Sequence, residues 1–194
     1  MMRRCATLGV LLLCVLAAAP REAAAQDPRG FIATLGREAI QVMGRSVPPA
    51  QRLVRFRELF RDDFDLPTIG QFVLGPYWRN ATPEERQQFL PLFQEHIVRA
   101  YTTLLGEYGG EPFNVTGARA NGDEMVVSSE VIRQNGSRIQ IDWYLVNRGG
   151  ALKITDVHIA GVSMRATKRD DFIAFIQKNG GHLAALNQKL ASMQ

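Results

Sequence analysis

The chain has 194 residues and a formal net charge of +4, with 46% hydrophobic and 22% charged side chains. That balance suits a folded protein with a core of its own, and it is too mildly basic to indicate a nucleic-acid partner. Its only cysteines, Cys5 and Cys14, lie near the start.

Arg3 and Arg4 precede the uncharged apolar run Leu8 to Ala19, and Ala23-Ala24-Ala25 supplies the small residues of a cleavage site. The run is shorter than the about 20 residues that span a bilayer. Residues 1–25 therefore read as a secretory signal peptide cleaved near Ala25, and residues 26–194 as one exported domain. Leu12 and Leu13, standing before Cys14, do not fit a lipoprotein site. Cleavage removes both cysteines, and it leaves 20 basic against 18 acidic side chains, a net charge of +2. Such a domain has no disulfide and must rely on its core.

The first half has helical periodicity. Phe31, Leu35, Ile40 and Met43 recur on one face. Ser46 with Pro48 and Pro49 marks a second helix start, whose stripe is Leu53, Phe56 and Leu59/Phe60. Asp65 and Pro67 open a shorter helix that runs through Leu74 and ends at Gly75-Pro76. Thr82-Pro83-Glu84-Glu85 is a capping box with proline at the first helical position. The helix after it carries Phe89, Leu92, Phe93, Ile97, Ala100, Tyr101, Leu104 and Leu105 on one broad face, and Gly109-Gly110 stops it.

In the second half the period falls to two. Strands are predicted at Phe113–Ala120, Glu124–Gln134, Ser137–Val146 and Ala151–Ile159, joined by Asn121-Gly122-Asp123, Asn135-Gly136 and Asn147-Arg148-Gly149-Gly150. Ile139, Ile141, Trp143 and Leu145 share one face. In the last strand Leu152 and Ile154 alternate, then Val157 and Ile159 do, which predicts a bulge near Thr155/Asp156. Two short helices close the chain, at about Lys168–Lys178 and His182–Met193. The fold class is α+β, with helices packed on a curved four-stranded antiparallel sheet.

Chemistry-bearing patterns are sparse. His96, His158 and His182 have no partners at metal-ligand spacing, and nucleophile-elbow, dinucleotide and phosphate-loop motifs are missing. Asp142 beside Trp143, or Asp156 at the bulge, could serve as a general base in an isomerase-like α+β enzyme. Outward charge or an arginine partner accounts for either more simply. Arg52, Arg55, Arg57 and Arg61 read as a solvated helix face. What remains is apolar: Phe89, Phe93, Ile97 and Tyr101 of one helix oppose Ile139, Ile141 and Trp143 of the sheet, with Tyr77 and Trp78 at the edge. Periodicity does not distinguish a closed core from two layers held apart around a cavity.

Asp63-Phe64-Asp65, Val73-Leu74-Gly75-Pro76-Tyr77-Trp78-Arg79, Ala81-Thr82-Pro83-Glu84 and Phe89 resemble the signature of the MlaC family, periplasmic phospholipid carriers also called toluene-tolerance proteins. Tyr101 with Leu105 and Tyr108-Gly109-Gly110, then Ile154-Thr155-Asp156-Val157 and Gly161-Val162-Ser163, follow in the family's order. So does Arg169…Phe172…Gly180-Gly181…Leu183…Leu190. The resemblance covers nearly all of residues 26–194. It implies a monomeric, non-catalytic carrier without cofactor or metal, which holds lipid tails in a pocket between helices and sheet. It further implies exchange with an inner-membrane ABC transporter bearing an MCE-domain subunit, and with an outer-membrane lipoprotein–porin complex. Met164-Arg165-Ala166-Thr167-Lys168-Arg169 departs from the phospholipid carriers, which more often have tyrosine or histidine before the arginine. It is similar to the hopanoid-associated branch, HpnM, and this leaves the ligand open between phospholipid and hopanoid. Combined with the face assignments, the resemblance gives candidate lipid contacts at Phe72, Val73, Leu74, Tyr77, Trp78, Phe89, Phe93, Ile97, Tyr101, Val127, Ile139, Ile141, Trp143, Ile154, Val157 and Val162.

Overall fold

A computed structural model describes residues 26–43, 47–105 and 110–194. The expected leader at 1–25, Ser46, Tyr108 and Gly109 lie outside these residues, as do the side chains of Met43, Leu104 and Leu105. Five helices come first: α1 (Pro28–Met43), α2 (Pro49–Asp63), α3 (Leu66–Leu74), α4 (Pro76–Asn80) and α5 (Pro83–Leu105). Strands β1 (Phe113–Asn121), β2 (Glu124–Ile132), β3 (Arg138–Arg148), β4 (Ala151–Ile159) and β5 (Val162–Ser163) follow, then α6 (Met164–Lys178) and α7 (Leu183–Ala191). The sheet is an antiparallel meander in the order β1-β2-β3-β4-β5.

Local chemistry accounts for most of the boundaries. Asp65 caps α3 by accepting from the Thr68 amide at 3.2 Å and the Thr68 hydroxyl at 2.8 Å. The capping box of α5 forms reciprocally: the Thr82 amide donates to Glu85 Oε2 at 2.9 Å, and the Glu85 amide donates to Thr82 Oγ1 at 3.1 Å. The bulge in β4 falls where the phase shift placed it, because Tyr144 pairs with Asp156 and Leu145 with Ile154, leaving Thr155 as the extra residue.

Three features differ from the sequence-based expectation. Pro76 does more than end α3: it opens the short helix α4, since its fixed φ and missing N–H suit a first helical turn. Helix α6 starts at Met164 rather than near Lys168, because the Ser163 hydroxyl accepts from the Ala166 amide at 3.0 Å and caps it. The sheet has a fifth strand, two residues long. Ala160 and Gly161 both take positive φ (50° and 83°), the backbone of a tight hairpin, and this returns β5 onto β4.

The helices and sheet are pinned where α2 meets α3. The Asp65 amide donates to the Ile154 carbonyl at 2.9 Å, and Phe64 makes a parallel bridge to Ile154. Arg148 Nε lies 2.7 Å from Asp65 Oδ2. Burial works to raise the Asp65 pKa, but the hydrogen bond from Arg148 and those from Thr68 outweigh it and hold the value below the ordinary one.

Asp63, one turn's end away, behaves oppositely. Burial, followed by repulsion from Glu38, raises its pKa from 3.8 to about 6 against the opposing pull of Lys153. The folded chain thus binds this proton more tightly than the unfolded chain. The associated stability is complete below pH 3.8 and is lost as the pH rises through about 6. Asp63→Asn is expected to raise the thermal midpoint at pH 7 and flatten its pH dependence over this window. Identical pH–stability profiles for variant and parent would contradict this.

Candidate functional site

Two hydrophobic cores form in this fold, and they do not merge. One is helical: Phe60, Ile69, Val73, Leu74, Phe89, Phe93, Ile97 and Phe172 belong to it, with Leu183, Leu186 and Leu190 of α7 behind them. The other joins α1 to the sheet through Ile32, Leu35, Val127, Leu145 and Ile154. Half-buried Phe64 packs against both. Between them lies a cavity of about 250 Å³. Interiors are otherwise close-packed, so a void of this size is not a packing defect; small-molecule pockets typically hold roughly 300–1,000 Å³.

Each wall comes from a different element. Leu35, Gly36, Ala39 and Ile40 of α1 and Phe56, Leu59 and Phe60 of α2 form one side. Ile69 and Val73 of α3 and Phe93, Ile97 and Tyr101 of α5 form the next. The sheet contributes Phe113, Val131, Ile141, Trp143, Val157 and Ile159. These walls stay apart because their large rings are held within their own layers. Phe93 stacks on Phe89 at 5.4 Å, and both meet Phe172 edge-on at about 6 Å. Across the gap, the Trp143 indole N–H donates to Ser129 Oγ at 2.8 Å and its ring meets Phe113 edge-on at 6.5 Å.

One corner is polar, formed by Thr155, Asp156, Arg165 and Lys168 beside Met164. Asp156 is buried, at 3% exposure. It accepts from Ser163 Oγ at 2.5 Å, from the Val157 amide at 2.8 Å and from the Arg165 amide at 3.1 Å. His158 Nε2 lies 2.9 Å from it and Arg165 Nε 3.3 Å. This carboxylate ties the β4 bulge to the start of α6. As a general base it would have to give up donors on both oxygens. Asp142 lies on the opposite face of β3 from Trp143, accepts from Ser128 Oγ at 2.6 Å and does not line the cavity. The Tyr101 hydroxyl titrates above its ordinary range, through burial and then the nearby Asp156, and so stays neutral.

Of the sequence-derived contacts, Val73, Phe93, Ile97, Tyr101, Ile141, Trp143 and Val157 line the cavity. Phe72, Leu74, Tyr77, Trp78 and Phe89 pack in the helical core instead, with the Arg86 guanidinium 5.5 Å from the Trp78 ring centre. Val127 and Ile154 lie in the sheet core, Ile139 is half-buried beyond the cavity, and Val162 is 54% exposed on the hairpin. The α1 and α2 walls and the cationic corner escaped sequence reasoning. The α1 and α2 stripes were legible as apolar faces, but periodicity does not say whether such a face meets another side chain or a void. Among the described residues, no cluster of three or more His, Cys, Asp or Glu could hold a metal ion.

Gly36 sets the spacing between α1 and the sheet. A Cβ built there would stand 2.4 Å from the Phe113 ring, which borders the cavity. Gly36→Ala is expected to lift α1 or push that ring inward, changing cavity volume. A crystal structure of the variant with Phe113 and α1 unmoved would contradict this role.

The MlaC protein family model matches residues 37–192. A toluene tolerance protein of Pseudomonas putida (ttg2D) is 32% identical over 108 residues, or 55% of this chain and 50% of that protein. The intermembrane phospholipid transport system binding protein MlaC of Haemophilus influenzae is 27% identical over 133 residues, or 64% and 62%. The matches thus span between half and two-thirds of these relatives' length. The fold is similar to that of a phospholipid-binding protein from Ralstonia solanacearum, solved in complex with a phospholipid. Its TM-score is 0.73 at 23% identity, covering 86% of this chain and 96% of that one. With the family match extending over well more than half of its residues, the chain belongs to the MlaC family.

Proposed function

We propose that this protein is a non-catalytic carrier that encloses the tails of a phospholipid and moves it across an aqueous compartment. The observation that carries the reading is the apolar cavity between the helical and sheet cores. Each buried methylene is worth roughly 0.8 kcal/mol, so a two-tailed lipid in water exposes on the order of 20 kcal/mol of unfavourable surface. Such a crossing needs enclosure rather than chemistry. The names of the relatives, one a phospholipid transport binding protein and one a toluene tolerance protein, support the same reading.

The compartment we propose is the periplasm, reached through the leader at residues 1–25. Among the described residues no helix is long and apolar enough to cross a membrane. The exchange partners would be an inner-membrane ABC transporter with an MCE-domain subunit and an outer-membrane lipoprotein–porin complex, the carrier acting as a monomer. Hopanoid is the alternative cargo.

The walls of this cavity are apolar, and a guest that covers them takes that surface out of water. Cargo that fills the space should therefore stabilise the fold by linkage. Native mass spectrometry of the purified protein is expected to find a phospholipid mass adduct, and delipidation is expected to lower the thermal midpoint. Ile97→Trp, which fills the cavity from α5, should abolish the adduct while the variant remains folded by circular dichroism. A parent protein free of lipid and unable to take any from vesicles would overturn the reading.

A further inference from the structure

The cavity walls are apolar except at the corner where β4 meets α6, and there the charge is unbalanced. Asp156, Arg165 and Lys168 are the charged side chains lining it among the described residues, two cations against one carboxylate. A hydrocarbon guest has no use for either cation. The two stand three positions apart on α6, hence on one face, each about a quarter exposed (24% and 26%).

How the cations are held matters more than their number. Arg165 meets Asp156 through Nε at 3.3 Å and donates through Nη1 to the Thr155 carbonyl at 3.4 Å, both long contacts for a guanidinium. Its Cζ lies over the Phe72 ring, 4.7 Å from the centre. Asp156 keeps the Ser163 hydroxyl, two backbone amides and His158 if Arg165 departs, so neither oxygen is orphaned in the interior. Among the described residues Lys168 is paired only with Asp171, at 3.2 Å and with that partner 56% exposed, an interaction of little strength. Both cations can therefore turn to a phosphate, Lys168 by leaving a surface partner and Arg165 while Asp156 keeps its other donors.

We infer that Arg165 and Lys168 form a phosphate-reading corner of the cavity, which holds the phosphodiester of a glycerophospholipid while its tails lie between the cores, Arg165 leaving Asp156 to do so. The inference rests on the carrier reading above and adds to it a ligand class: an anionic phospholipid is preferred over a neutral lipid of the same tails, a neutral hopanoid included.

The test is competitive uptake from vesicles containing phosphatidylglycerol and diacylglycerol with identical chains, with bound lipid quantified by mass spectrometry. The parent protein is expected to favour phosphatidylglycerol by about tenfold or more, and the Arg165→Gln/Lys168→Gln variant to lose most of that preference. Arg165→Lys should retain part of it. If the double variant does not fold, Lys168→Gln alone still reports, since its partner is on the surface. Equal uptake of both lipids by the parent, or an unchanged ratio in folded variants, overturns the inference and leaves the carrier reading standing. Uptake of neither lipid removes both. Inorganic phosphate at the lipid's concentration serves as a control for source. Displacement of phosphatidylglycerol by it would mean a free-anion site and would also overturn the inference.

Discussion

The arrangement depends on one extra residue in β4. With Thr155 unpaired opposite Tyr144 and Leu145, Ile154 and Val157 fall on the same inner face although three positions separate them. Without the bulge, one of the two would turn to the outer face. The same irregularity puts Asp156 on the face of Tyr144 and His158, where it is buried and collects donors from β5 and the first turn of α6. Helix α6 is thereby anchored to the sheet edge. The bulge is fixed in turn from the helical side, since the Asp65 amide and Phe64 both engage Ile154.

From that joint the two layers diverge. Each brings large aromatic groups to the gap, and each holds them with partners of its own: Phe93 by Phe89 and Phe172, Trp143 by Ser129 and Phe113. Rings restrained in this way keep a space open that flexible aliphatic chains would collapse into. Polar satisfaction takes part as directly as apolar packing. The Trp143 indole is oriented by a buried serine, and the corner that admits cations is organised by a buried carboxylate. The hollow between the two layers thus depends on a few buried hydrogen bonds to stay open.

The sequence made element type and order legible, because the periods of 3.6 and 2 are strong signals and the caps and Asn-Gly turns have local causes. The β4 bulge was legible for the same reason: a phase slip in alternation has no other simple origin. Helix α4 was not, since Gly75-Pro76 reads equally as a stop and as a start. Its rings, Tyr77 and Trp78, consequently looked like a rim when they pack in the helical core. The cavity was legible as apolar faces and not as a space, because whether facing stripes interlock depends on the distance between layers. That distance is set by features remote in sequence, such as Gly36 against Phe113. The pairing of Arg165 with Asp156 needed the bulge and the new start of α6 together, and neither position alone announces it.

The proposed carriage requires that hydrocarbon lie inside, between α5 and strands β3 and β4. It is tested most directly by a phospholipid with a photoreactive diazirine at the tail end, loaded, irradiated and mapped by peptide mass spectrometry. Labels are expected on cavity residues such as Ile97, Ile141 and Val157. Labels confined to exposed apolar side chains such as Val54, Val162 and Met193 would place the lipid on the outside and contradict it.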